Sequence, residues 1–170
     1  NDWTLWEDTV TKSPNKARPH LTLGLALYNA GREDEAIKEL HRAIQLDRRA
    51  GIAYMNLGYI YLTKGNHVEA TQAFQKAMVL SPHSAPEGHN NLGCVYMRQG
   101  HKQEALKEFQ LALEARPHFA RVYFNLADYF EKEGNLDQAI SNMEKTAKLE
   151  PEFVASHKAL SRLYATKGWK

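Results

Sequence analysis

Cysteine is nearly absent: Cys94 is the one thiol in 170 residues. A lone thiol excludes an internal disulfide and any metal site made of cysteines alone. It leaves the redox compartment open, because a cysteine-poor chain is tolerated in either environment. Excess charge is also scarce. The 22 Lys and Arg against 20 Asp and Glu leave +2, too little to point to a nucleic-acid or membrane surface. No apolar run approaches the roughly 20 residues needed to cross a bilayer. Strand-like alternation is missing, and the glycines are isolated, so there is no phosphate-cradling loop. The eight histidines form no His-x3-His pair, and no Cys or carboxylate cluster completes a tetrahedral metal set. His83, His89 and His118 are therefore read as structural or surface residues. No acid, base and nucleophile constellation appears, so no catalytic residue, metal or cofactor is expected.

What is present is a period. Leu23-Gly24, Leu57-Gly58, Leu92-Gly93 and Leu126-Ala127 recur, with Leu160-Ser161 as a degenerate fifth, at steps of 34, 35, 34 and 34 residues. A period of that size without strand signals means stacked helix-turn-helix units, each completing its core against its neighbours. With the Gly of each pair as unit position 8, the units are 17–50, 51–84, 86–119 and 120–153, and Ala85 is a one-residue insertion. Residues 1–16 read as the second helix of a degenerate leading unit, with Trp6 as its core residue. Residues 154–170 read as the first helix of a truncated fifth. The chain opens at Asn1 without a signal-like segment and stops where that fifth unit would turn, so it reads as a piece of a longer protein.

Within each unit, helix A is followed by a turn at Gly31, Gly65, Gly100 and Gly134, where Gly accepts positive φ. Two rows of small residues, Ala36, Ala70, Ala105 and Ala139, then Ala43, Ala77, Ala112 and Ala147, are expected to let paired helices approach closely. Larger residues such as Tyr54, Leu57, Tyr61 and Phe74 fill the remaining space. Pro82, Pro117 and Pro151 end helix B. Arg48 stands at that place in the first unit, which predicts a softer boundary there.

These residues at these spacings resemble the tetratricopeptide repeat (TPR), and the likeness runs over about residues 1–168. It implies an all-α right-handed superhelix, an α-solenoid of antiparallel helix pairs with four full repeats and a partial repeat at each end. It also implies a concave groove lined by the A helices. Carried onto this chain, the peptide-binding groove comprises Leu21, Leu25, Tyr28, Met55, Asn56, Tyr59 and Leu62 in an apolar half. Asn91, Arg98, Arg121, Asn125 and Asp128 make a polar half, with Asn90, Cys94, Met97 and Lys132 also facing in. Leu25, Met55, Tyr59 and Leu62 are the expected apolar anchors. Asn56, Asn91 and Asn125 share unit position 6 and are expected to form an amide ladder able to pair with peptide backbone, although Asn there also serves as plain helix-surface polarity.

The terminal-carboxylate clamp of the chaperone-binding members is not reproduced. Its positions fall on Leu21, Leu25, Asn56, Glu87 and Asn91, of which only Asn56 agrees, or, one unit on, on Met55, Tyr59, Asn91, Arg121 and Asn125. Cys94 lies mid-helix, away from any helix N-terminus that would activate it, and reads as an inert thiol.

Three functions fit this fold. The first is a noncatalytic protein-interaction scaffold whose groove binds a peptide or protein element. The second is an accessory repeat domain of a larger membrane-bound, glycosyltransferase-like enzyme. Leu5 to Val10 followed by Lys12 to His20 resembles the junction of bacterial membrane proteins with C-terminal TPR tails, and that likeness implies an extracytoplasmic placement, with a cytoplasmic one as the alternative. The third is self-assembly through repeat ends that carry Trp3, Trp6 and Trp169. The expected partner is a protein or peptide, with no nucleic acid and no membrane insertion by these residues.

Overall fold

A computed structural model describes residues 2–168, with side chains from residue 4. Trp169 and the side chain of Trp3, which entered the self-assembly expectation, lie outside the described residues. Ten α-helices are described: α1 (Asp2–Lys12), α2 (Ala17–Asn29), α3 (Glu33–Leu46), α4 (Gly51–Thr63), α5 (His67–Leu80), α6 (Ala85–Gln99), α7 (Lys102–Ala115), α8 (Ala120–Lys132), α9 (Leu136–Leu149) and α10 (Val154–Lys167). The chain divides into two compact units, one up to Gly88 and one from His89. In the first, α1 packs on α2, α2 on α3, α3 on α4 and α4 on α5; in the second, α7 packs on α8, α8 on α9 and α9 on α10. Among the described residues the fold is all-α, built from antiparallel helix pairs within each unit.

The turn between helices A and B follows from its glycine. Gly31, Gly65, Gly100 and Gly134 have φ of 77°, 79°, 78° and 75°. In the first full repeat the Arg32 amide reaches back to the Leu27 carbonyl, and the same bond recurs as Asn66 to Tyr61, His101 to Tyr96 and Asn135 to Phe130. This is the capping geometry in which one left-handed residue satisfies carbonyls that the helix end leaves open. Acidic residues then open the B helices, Glu33, Asp34 and Glu35 on α3 and Asp137 on α9, where they favour the helix dipole.

Small residues set the helix spacing. A Cβ on Gly58 would lie 2.6 Å from the Phe74 ring, and one on Gly93 2.5 Å from Phe109, so these A helices rest directly on an aromatic ring of helix B. Both rings are fully buried, each contributing about 2–3 kcal/mol of burial. In the first unit Leu23, Leu27, Leu40, Leu57 and Ile60 form one cluster, with Trp6 and Val10 of α1 packed against it. In the second, Phe109 packs with Val122 and Leu126, and Met143 and Ile140 pack with Leu163 of α10. Each of these three clusters takes residues from more than one repeat, as units without a private core require.

Two expectations are corrected. The second small-residue row ends not at Ala147, which is half-buried, but at Thr146, which is fully buried. Its hydroxyl bonds to the Asn142 carbonyl at 3.1 Å, and the spacing from Ala112 is that of the other repeats. Arg48 does not alter its boundary: α3 stops at Leu46 with the same 14-residue length as α5, α7 and α9. Asp47 supplies the stop, because its carboxylate accepts the Arg49 amide at 2.9 Å and turns the chain without proline. Ala85 opens α6 directly after a 3-10 turn at Pro82–Ser84, which accommodates the inserted residue.

Candidate functional site

The junctions between repeats are held by polar contacts that the repeat pattern alone does not announce. At unit position 4, His157 bonds the Pro151 carbonyl at 2.7 Å and Tyr123 donates to the Pro117 carbonyl at 3.0 Å, each reaching the end of the preceding repeat. His20 does the same with Pro14 at 3.0 Å, while its other nitrogen meets Glu39 at 2.6 Å. His89 meets Glu108 at 2.7 Å. The signal in the sequence is a pairing: His occurs with Glu nineteen residues on in the first and third repeats, whereas Tyr54 and Tyr123 face Ala73 and Asn142 at the same offset. A second contact joins position 11 to the repeat before, with Tyr164 donating to Glu144 at 2.6 Å and Tyr61 beside His41 at 3.1 Å. The rings of His20, His41, His89 and His157 are thus engaged with partners inside the protein, and among the described residues there is no group of three or more His, Cys, Asp or Glu that could hold a metal ion. No described helix is long and apolar enough to cross a membrane.

In the first unit, α2 and α4 carry the apolar candidates. Tyr59 is 46% and Ile52 57% exposed. Leu21, Leu25, Tyr28, Met55 and Asn56 are half-buried. The Tyr28 and Tyr59 rings meet edge to face, 5.9 Å apart. Leu21 and Ile52 line a cavity of about 250 Å³ with Arg18, Ala50 and Gly51. Leu62 departs from expectation: it is buried at 5% exposure and is not an exposed anchor. Helix α4 is apolar nearly all round and buries Ala53, Leu57, Ile60 and Leu62. Such a helix is packed on more than one side, and helical period does not say which residues remain open.

In the second unit, α6 and α8 carry the polar candidates. Cys94, Met97, Arg98, Asn125, Asp128 and Lys132 line a cavity of about 320 Å³ floored by Phe109. Arg98, Arg121 and Asp128 are exposed, and Asn91 and Asn125 are half-buried. Lys132 and Asp128 pair at 2.7 Å one turn apart. The amide-ladder expectation is corrected for Asn125, which donates to the Asn90 oxygen at 2.8 Å and to the Cys94 sulfur at 3.3 Å. Its two N–H groups are thus committed inside the protein. Asn90, expected in the groove, is itself buried at 2%. In the first unit, Asn56 donates to its own helix at Ile52. Burial pushes the Cys94 thiol up to about 11, with Asp128 adding to the shift and Arg98, Arg121 and Lys132 opposing it. A thiol held neutral in this way is a poor nucleophile.

Stacked helix pairs, glycine turns and a core shared between neighbours define a repeat protein built for interaction. Three family models, each described as tetratricopeptide repeat, match residues 21–85, 86–119 and 120–153, and the chain belongs to the tetratricopeptide repeat family. Small glutamine-rich tetratricopeptide repeat-containing protein 2 of Mycosarcoma maydis is 30% identical over 73 residues, which are 43% of this chain and 21% of that protein. Cellulose synthase operon protein C of Escherichia coli K12 is 36% identical over 62 residues, 36% of this chain and 5% of that protein. The chain therefore spans only a small part of these relatives. Among solved structures, MamA superposes with a TM-score of 0.66 at 26% identity, covering 85% of this chain and 84% of that one. YrrB, described as a TPR protein with an unusual peptide-binding site, gives 0.67 at 23%, covering 96% and 84%. The Cut9-Hcn1 assembly gives 0.82 at 23%, covering 97% of this chain and 33% of that one.

Proposed function

We propose that this chain is a noncatalytic scaffold that binds a peptide or protein element on the faces of its A helices. The TPR fold supports protein interaction in general; the observation that carries the finer reading is the Tyr59, Ile52 and Tyr28 surface. Ile52 and Tyr59 stand open on α4, with the half-buried Tyr28 of α2 against the Tyr59 ring; open apolar side chains of this kind are what a partner covers, and tyrosines are efficient anchors at such surfaces. YrrB, with its peptide-binding site, is a neighbour of the same fold.

The test is selection of linear peptides from a display library on the whole chain, followed by titration against variants. Tyr59→Ala and Ile52→Ala are expected to weaken binding by about tenfold, within the range of interface anchors. Val79→Ala, which alters an exposed apolar residue of α5, should leave it unchanged. Selected peptides indifferent to Tyr59 and Ile52 would overturn the reading.

A further inference from the structure

We propose that the cavity between the N-terminal ends of α2 and α4 takes one large apolar side chain of an extended peptide, with an acidic residue of that peptide held just outside it; this rests on the peptide-binding reading above. The walls are mainly apolar. Leu21 and Ile52 are the large residues, and Ala17, Ala43 and Ala50 are small ones between the helices. The volume of about 250 Å³ admits a leucine or phenylalanine side chain and is too small for a folded element. Two arginines, Arg18 and Arg49, line the same cavity. Both are exposed, and among the described residues neither guanidinium has a hydrogen bond or ion pair. Asp47 is the one acid among the described residues of the lining. It is turned to the backbone, where a carboxylate oxygen accepts the Arg49 amide at 2.9 Å. No acidic residue opens α2 or α4. The mouth of the cavity therefore carries positive charge without an internal partner, and an acid brought in by the peptide complements it.

The spacing along the helices orders these features. Leu21 precedes Tyr28, and Ile52 precedes Tyr59, by seven residues. Seven residues are close to two helical turns, so each pair shares a face and stands about 10 Å apart along its helix. The two tyrosines touch each other and act as one contact. A peptide in the polyproline II form returns a side chain to the same face every third residue, about 9 Å on, which matches the distance from cavity to tyrosines. A strand offers same-face side chains about 7 or 13 Å apart, and fits less well. Arg18 and Arg49 each precede the large wall residue by three positions, so the charges lie beyond the cavity from the tyrosines. The ligand is thus an extended segment with two apolar residues three positions apart. The first enters the cavity, the second meets Tyr28 and Tyr59, and the acid flanks the first on its outer side.

The experiment is display selection of random linear peptides on the whole chain, followed by titration of synthetic versions. The selected peptides should share two large apolar positions three apart, with Asp or Glu enriched beside one of them on the side away from the other. Ala17→Leu fills the cavity from the half-buried first residue of α2. That variant, and alanine at the first apolar position of the peptide, should each weaken binding by about tenfold. Arg18→Glu and Arg49→Glu should each cost about fivefold, the scale of an exposed ion pair, and less at raised salt. Arg18→Gln and Arg49→Gln, with unfolding midpoints recorded for all variants, guard against loss of fold and should show the same direction. Peptides that need Tyr59 but lack the acid, or are indifferent to Ala17→Leu and the arginine variants, overturn the subsite and leave the peptide-binding reading standing. So does a seven-residue spacing of the apolar positions, which marks a helical ligand. If no peptide is selected, or the selected ones ignore Tyr59 and Ile52, the peptide-binding reading falls and the subsite with it.

Discussion

Single residues in this protein do separable jobs, and substitutions distinguish them. Gly58→Ala drives a methyl against the buried Phe74 ring, at 2.6 Å from its nearest atom, and should cost about 1–3 kcal/mol by denaturant unfolding. Gly31→Ala meets nothing within 4 Å but must hold φ at 77°, so it should cost about 1 kcal/mol through backbone strain. Phe74→Leu in the Gly58→Ala background should recover part of the first loss, whereas no side-chain change rescues Gly31→Ala. Cys94 offers a pH test. Its thiol is raised in the folded state from an ordinary 9.0 to about 11, so the folded chain keeps a proton that the unfolded chain releases. The associated stability is fully present below about pH 9 and is lost as pH rises towards 11. Cys94→Ala should show a shallower decline across that window, and alkylation of native Cys94 at pH 8 should be far slower than in denaturant.

At the scale of the helix, the pattern in the sequence was a good guide to packing and a poor one to exposure. Glycine turns, the position-8 contacts and the buried rings follow from spacing, because each is a steric demand that few residue types meet. Leu62 escaped because it lies on α4, which α3 and α5 both pack against, and one apolar stripe does not tell which flank is covered; the burial of Asn90 leaves no mark in its residue type. Asn125 escaped for another reason. An amide has the same appearance in a sequence whether it serves a ligand or, as here, Asn90 and Cys94. The His20 and Glu39 pair is the element-level feature with the clearest energetic signature. Glu39→Ala leaves the buried His20 ring short of a partner, and His20→Tyr leaves Glu39 without its contact. The double variant restores the Tyr and Ala combination native to the second repeat. A double-mutant cycle is expected to give a coupling of about 1–2 kcal/mol.

For the molecule as a whole, stability is a chain of interfaces. Removing residues 51–84 takes away the α4 surface on which Leu40 and Ala43 close their cluster, so the first repeat should lose protection in hydrogen exchange although none of its own residues has changed. A protein with one central core would distribute such a loss differently.

The charges at the repeat junctions carry a last consequence. Lys64 reaches back to Glu33 and Asp34, and Lys167 back to Asp137, but at the equivalent place Glu133 receives Lys102 from the repeat before. The sign of the clasp is thus inverted at one junction. A copy of the second repeat placed after the third would set Lys64 against Lys102, like against like. Modules that look interchangeable by their packing residues are, by their clasps, written in an order, and a shuffled array would have to be spelled with its charges corrected.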